Sequence, residues 1–158
     1  MDRVYRYVGP GELLVAAAAQ DGGRPLESFE AVGAWAARVS GEPFTYVVDL
    51  DGRLLVADRR SEHVACAGGR DVLGAGELSL RWTGAGWAVA EISNQSTGYA
   101  PAPGSWPAVA AALDRAGIAR PGGFTAAFEF RHCPGCGQLN LVKDGDYTCC
   151  LCETALPE

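Results

Sequence analysis

The sequence predicts an α+β fold: a mainly antiparallel sheet with two or three helices, followed by a small C-terminal hairpin held by a metal. Three observations predict it. Apolar residues recur at helical spacing up to about residue 40 and then at strand spacing. Two turn signals, Asp51-Gly52 and Gly84-Ala85-Gly86, each sit between apolar runs of strand length. Four cysteines close the chain as C-x2-C-x12-C-x2-C. The chain has 158 residues, 48% of them hydrophobic. That is enough for one ordinary domain with a core and a small appendage. The expected boundary places an α+β domain at 1–124 and the metal-bound unit at 125–158.

Residues 3–8 (RVYRYV) read as a short strand, broken by Gly9-Pro10-Gly11. Residues 12–20 are apolar and Ala-rich, which favours helix. A second helix follows Gly22, Gly23 and Pro25. In it Leu26, Phe29, Val32, Ala36 and Val39 share a face, Trp35 borders that face, and Gly41 closes the element. TYVVDL (45–50) and RLLVAD (53–58) form the first hairpin. ELSLRWT (77–83) and WAVAEIS (87–93) form the second. A third helix is expected over 106–116, with Ser105 as N-cap, Pro107 in the first turn and Gly117 just past the end. Residues 117–124 read as a linker, and 125–133 as a strand leading into the first cysteine pair.

The cysteines carry the clearest chemistry. Cys133-Pro134-Gly135-Cys136-Gly137 and Cys149-Cys150-Leu151-Cys152 place two CxxC pairs on a short hairpin. Four thiolates at that spacing surround a tetrahedral metal, and zinc suits such a set best. Gly135 and Gly137 permit the sharp turn that points backbone N–H groups at sulfur. Residues 127–158 resemble the zinc ribbons found in many otherwise unrelated proteins. The resemblance implies one structural Zn2+ on Cys133, Cys136, Cys149 and Cys152. Rubredoxin-type iron sites use the same donors, although the interval between the pairs is short for them. Two disulfides would be the metal-free reading. Cys150 is the alternative first member of the second pair, and His132, abutting Cys133, is read as a surface residue.

Charge limits the function classes. Net charge is −6, with 12 Arg and a single Lys. An acidic chain is a poor phosphate binder, which argues against nucleic acid as a partner. The ribbon itself has Glu129, Asp144, Asp146, Glu153 and Glu158 against Arg131 and Lys143, so a structural or protein-contact role fits better than a nucleic-acid reader. No apolar stretch approaches the roughly 18 residues of a membrane span. Leu13–Gln20 could pass for a signal-peptide core, but it is short and follows Pro10-Gly11-Glu12. Paired CxxC thiols fit a reducing compartment, so the expected location is cytoplasmic.

Two polar, Gly-rich segments, 59–77 and 94–104, lack a clean period and are the places to look for function. Candidates for chemistry are His63, Cys66, Glu77 and Asn94. Candidates for ligand binding are Arg59, Arg60, His63, Glu77, Asn94, Ser96 and Tyr99. His63 and Cys66, three apart, would share a helical face as a nucleophile pair. Against this, Cys66 reads equally as a small buried hydrophobe and Asn94-Gln95-Ser96-Thr97 as a self-satisfied turn. Arg59, Arg60 and Arg70 offer a positive rim suited to a phosphate or carboxylate. The pattern His63, Ala67-Gly68-Gly69, Val72, Ala75-Gly76-Glu77, Ser93-Asn94, Ser96 and Tyr99-x-Pro101 is similar to a module in bacterial proteins without an assigned activity. That resemblance implies no catalytic residue. It implies only that the two segments meet in space.

Signatures of P-loop ATPases, Rossmann enzymes, zincins, α/β-hydrolases and zinc deaminases are absent from the sequence. The expected function is an accessory or binding protein with a zinc ribbon, taking a protein partner or a small anionic ligand. The alternative is a small toxin-like transferase or hydrolase working through 59–77 and 94–101. The sequence leans away from an enzyme without deciding the matter, and it leaves the oligomeric state open.

Overall fold

Continuous apolar runs in the first hairpin have a simple cause: both faces of the sheet are covered where that hairpin lies. A computed structural model describes residues 2–158. Its strands are β1 (Arg24–Pro25), β2 (Phe44–Val48), β3 (Leu54–Ala57), β4 (Gly74–Trp82) and β5 (Trp87–Ile92). They form one antiparallel sheet in the order β1-β3-β2-β4-β5. Helices α1 (Gly11–Ala18), α2 (Phe29–Val39), α3 (His63–Cys66) and α4 (Trp106–Ala116) cover it. Alternation along β2 sends Phe44, Tyr46 and Val48 into a core with α2 and α4. Val47 goes to the opposite core, with Ala17 of α1 and Val64 and Cys66 of α3. The α+β expectation holds, with four helices and a mainly antiparallel sheet.

The first hairpin turns over Asp49–Arg53. Gly52 takes a left-handed φ of 81°, and the buried Asp49 carboxylate accepts the N–H groups of Asp51 (3.0 Å) and Arg53 (2.8 Å). Local side-chain bonding of this kind makes Asp a turn former. Helix α4 spans the expected residues and ends at Gly117 with φ 76°. Its start differs from expectation. A 3-10 turn over Pro103–Ser105 precedes it, and the buried Ser105 hydroxyl makes no capping bond.

Helix α2 also differs. Ser28 caps it, its hydroxyl accepting the Ala31 N–H at 3.0 Å. Leu26 therefore lies outside the helix, buried in the extension of β1, where its N–H donates to Leu54 O. The buried face becomes Val32, Trp35 and Ala36, and Phe29 is 59% exposed. The N-terminal strand over 3–8 reduces to one bridge between Tyr5 and Val72.

The largest departure concerns the Gly-rich run before the second hairpin. Strand β4 begins at Gly74, three residues before its expected start. A Cβ on Gly74 would lie 2.7 Å from Val109 Cγ2, and one on Gly76 would lie 1.9 Å from Ser93 O. These glycines mark close approach of neighbouring chain to a buried strand. The polar segment accordingly shortens to 58–73, with the single turn of α3 inside it.

Edge strand β5 is protected by residues that the sequence presents as a linker (117–124) and the start of a strand (125–133). Residues 119 and 126 bridge to it in parallel, Ala119 with Ala88 and Ala126 with Ser93. Beyond this strap, β6 (Glu129–His132) and β7 (Leu139–Val142) pair as a separate hairpin. Its buried apolar cluster is Cys133, Cys149 and Leu156.

Gly76→Ala should lower stability by roughly 3 kcal/mol or more, since the Ser93 carbonyl is backbone and cannot turn aside. Gly104→Ala, where nothing lies within 4 Å of the added carbon, should change it by less than about 0.5 kcal/mol. Urea unfolding of both variants checks this.

Candidate metal centre and the polar segments

The ribbon hairpin brings its four cysteines together from two knuckles. The first follows β6, where Cys133 N–H donates to Gln138 O and Gly137 N–H to Cys133 O, both at 2.8 Å. The second follows β7, where Cys149 N–H donates to Thr154 O and Glu153 N–H to Cys149 O. The Sγ atoms of Cys133, Cys136, Cys149 and Cys152 all lie within 4.8 Å of one another. Cys133–Cys152 are 3.5 Å apart and Cys136–Cys149 3.7 Å. A tetrahedron with metal–sulfur bonds of about 2.3 Å has edges of about 3.8 Å. The cluster therefore has the size of a four-thiolate metal site, and no disulfide joins these cysteines.

Donors aim at the sulfurs. Gly135 N–H reaches Cys133 Sγ at 3.3 Å, and Leu151 N–H reaches Cys149 Sγ at 3.4 Å. Buried Asn140 adds its amide to Cys149 Sγ at 3.5 Å, and its Oδ1 accepts the Cys150 N–H at 2.9 Å. One side chain thus orients a sulfur and fixes the backbone of the knuckle that presents it. Sequence reasoning passed over Asn140. Its one signal there was a lone amide in the apolar run Leu139-Asn140-Leu141-Val142. Of the adjacent cysteines, Cys149 lies in the cluster and Cys150 is exposed outside it.

Protonation describes the same demand for a cation. The N–H groups of Cys152 and Leu151, with Asn140, pull the Cys149 thiol down to about 6, against desolvation. At Cys136 the Gln138 N–H also lowers the value, but desolvation and the three neighbouring thiols push it up to about 12. The opposite shifts favour a thiolate at Cys149 beside a neutral thiol at Cys136, and a metal ion among the four sulfurs would allow all of them to ionise.

The polar segments divide differently from the sequence expectation. Asn94 is fully buried. Its Nδ2 donates to Pro101 O (2.9 Å) and Phe128 O (2.8 Å), and its Oδ1 accepts the Phe128 N–H (2.7 Å). It ties the strap to the sheet. Ser96 Oγ accepts the Tyr99 N–H, and the Tyr99 hydroxyl donates to Arg70 O at 2.6 Å. These side chains join segments of backbone, which answers the polar demand that made them candidates.

His63 and Cys66 share the turn of α3, but no hydrogen bond joins them. Gly76 O can only accept, so His63 Nε2 donates to it at 2.8 Å. Cys66 is buried 3.5 Å from Leu55 O, and desolvation pushes its thiol up to about 12. A thiol so shifted is no nucleophile near neutral pH. Arg59 pairs with Glu42 at 2.9 Å, while Arg60 and Arg70 are exposed.

Of the candidates, Glu77 alone lines the cavity of about 260 Å3 over the β4–β5 face. His63, Asn94, Ser96 and Tyr99 do not line it. Compared with known proteins, no family model, curated protein or solved structure matches the chain. The likeness of 63–101 to a bacterial module thus gains no support from a family, and the four gathered cysteines remain the supported part of the resemblances. No helix among the described residues is long and apolar enough to cross a membrane.

Asn94→Ala leaves the Phe128 N–H and two carbonyls without their partner and should cost about 2–3 kcal/mol. Amide hydrogen exchange at Phe128 should rise with it. Desolvation also lowers the pKa of His63. A depressed base stabilises the fold above its unfolded value and loses that contribution as pH falls through the folded one. Stability should therefore drop on acidification below about pH 6.5, and urea midpoints for His63→Gln should show a shallower fall over that range.

Proposed function

We propose that the chain is a binding protein with two parts. The C-terminal ribbon holds one zinc ion in a structural role on Cys133, Cys136, Cys149 and Cys152. The α+β domain binds a protein partner or a small ligand. The observation that carries the reading is the gathering of four sulfurs within 4.8 Å. Zinc is favoured because an all-thiolate tetrahedron suits it and the two CxxC knuckles match a ribbon. Four protein ligands leave no open position for a reacting water, which favours structure over catalysis at the metal. The small apolar cluster of the ribbon supports the same role, since metal binding then supplies folding free energy that the core cannot. The enzyme alternative loses its proposed nucleophile to burial of Cys66.

Elemental analysis of the purified native chain tests this. About one zinc per chain is expected; iron, or no metal, overturns the zinc assignment. Cys149→Ser should release most of the metal and Cys150→Ser little. Equal losses would remove Cys149 from the ligand set. Under mild chelation, amide protection should fall over 129–158 before it falls in the sheet. Cooperative unfolding of the whole chain would instead make the metal part of the main fold.

A further inference from the structure

The second face of the sheet is covered only in part. Helices α1 and α3 pack over β2 and β3, where Val47, Leu55 and Ala75 form the core. Beyond them, on β4 and β5, the same face carries Glu77, Ser79 and Glu91. Ser79 stands opposite Glu91, and Ser93 N–H donates to Glu77 O. Glu77 and Glu91 are therefore diagonal neighbours, about 7–8 Å apart at the backbone. Neither takes part in any ion pair among the described residues. Both are exposed to solvent and free to meet a cation.

A second observation points the same way. Ser79 is only 7% exposed, lines the cavity and makes no side-chain hydrogen bond among the described residues. Its hydroxyl opens to the cavity and, without a partner among the described residues, is free to bond a ligand there in place of solvent. Pro43, Gln95 and Phe128 of the strap also line the cavity. No basic side chain lines it.

We propose that this cavity binds a guanidinium group, carried as an arginine side chain on a peptide or protein. This names the ligand class for the binding protein proposed above and rests on that reading. A planar fork of five donors can reach both carboxylates and the Ser79 hydroxyl together, which a compact ammonium cannot do across the same span. Phe128 and Pro43 suit the aliphatic stem and the flat face of the guanidinium. A hard metal ion fits less well, because two carboxylates supply few oxygen donors and, among the described residues, no group of three or more potential ligands gathers here as the four cysteines do. The sign is opposite to the anionic ligand expected from Arg59, Arg60 and Arg70, none of which lines this cavity.

The test uses the full zinc-loaded chain and three blocked amino acids: N-acetyl-arginine amide, N-acetyl-lysine amide and the neutral N-acetyl-citrulline amide. Backbone amide shifts are followed by NMR. The arginine compound should give saturable shifts at Ser79, Glu91 and Gln95, and the citrulline compound should give none. Glu77→Gln and Glu91→Gln should each weaken binding about tenfold, as expected for loss of one charge-assisted bond. Both variants should keep their zinc and their amide dispersion. Absence of saturable shifts from the arginine compound overturns the proposal, and so does equal binding of citrulline. Tighter binding of lysine overturns the guanidinium assignment. If the chain holds no zinc, the ribbon reading fails by itself. If it holds zinc and ignores arginine, the cavity assignment fails alone.

Discussion

The Ser93 carbonyl lies against Gly76, so close that a methyl group on the glycine would sit 1.9 Å from the oxygen. The same carbonyl accepts the hydroxyl of fully buried Tyr46 at 2.8 Å. The Ser93 side chain accepts the N–H groups of Glu77 and Gln95, and its own N–H donates to Glu77 O. Chain leaving β5 is thereby locked onto the middle of the sheet at one point. The register of β4 with β5, the entry into the 94–104 segment and the placing of Asn94 all follow from that lock. Because Asn94 then grips Phe128, the strap along β5 and the direction in which the ribbon leaves the domain depend on it as well.

The two units answer the same entropy problem by different means. The α+β part buries Tyr46, Phe44, Leu54 and Leu113 between sheet and helices. The ribbon buries Cys133, Cys149 and Leu156 as its apolar cluster. Its cysteines are positioned by knuckle hydrogen bonds and by Asn140. Small units with so little core depend on a metal or on cross-links. The strap joins the units without leaving β5 open to another chain, because its backbone bonds are made to Trp87, Val89 and Ile92.

Buried polar side chains here act mostly as joints. Asn94 and Asn140 each satisfy backbone groups from two segments, Tyr99 ties its own segment to Arg70, and Asp49 closes its own turn. Such groups are costly to bury and become favourable only when every partner is in place, so they specify one arrangement of the chain. Ser79 is different: it is buried, polar and open to a cavity. That contrast separates a binding surface from internal wiring more clearly than residue type does.

Local pattern was enough for the elements whose cause is local. The Asp51-Gly52 turn, helix 106–116 with Gly117 at its end, and the second hairpin are fixed by turn chemistry and spacing that act over a few residues. The four cysteines are of the same kind, because their type and interval point to a shared cluster before any packing is known, and the four sulfurs do gather. Other features arise between segments far apart in the chain. Gly74 and Gly76 look like loop glycines until Val109 and Ser93 are set against them. Phe29 and Leu26 fit a helical face until Ser28 caps the helix between them. His63, Cys66, Asn94 and Tyr99 look reactive in sequence because their polarity is visible and their partners, Gly76, Leu55, Phe128 and Arg70, are not. Residue identity limits what a side chain can do; long-range contacts determine whether that capacity is used within the fold, as at Asn94, or left facing a cavity, as at Ser79 and Glu77.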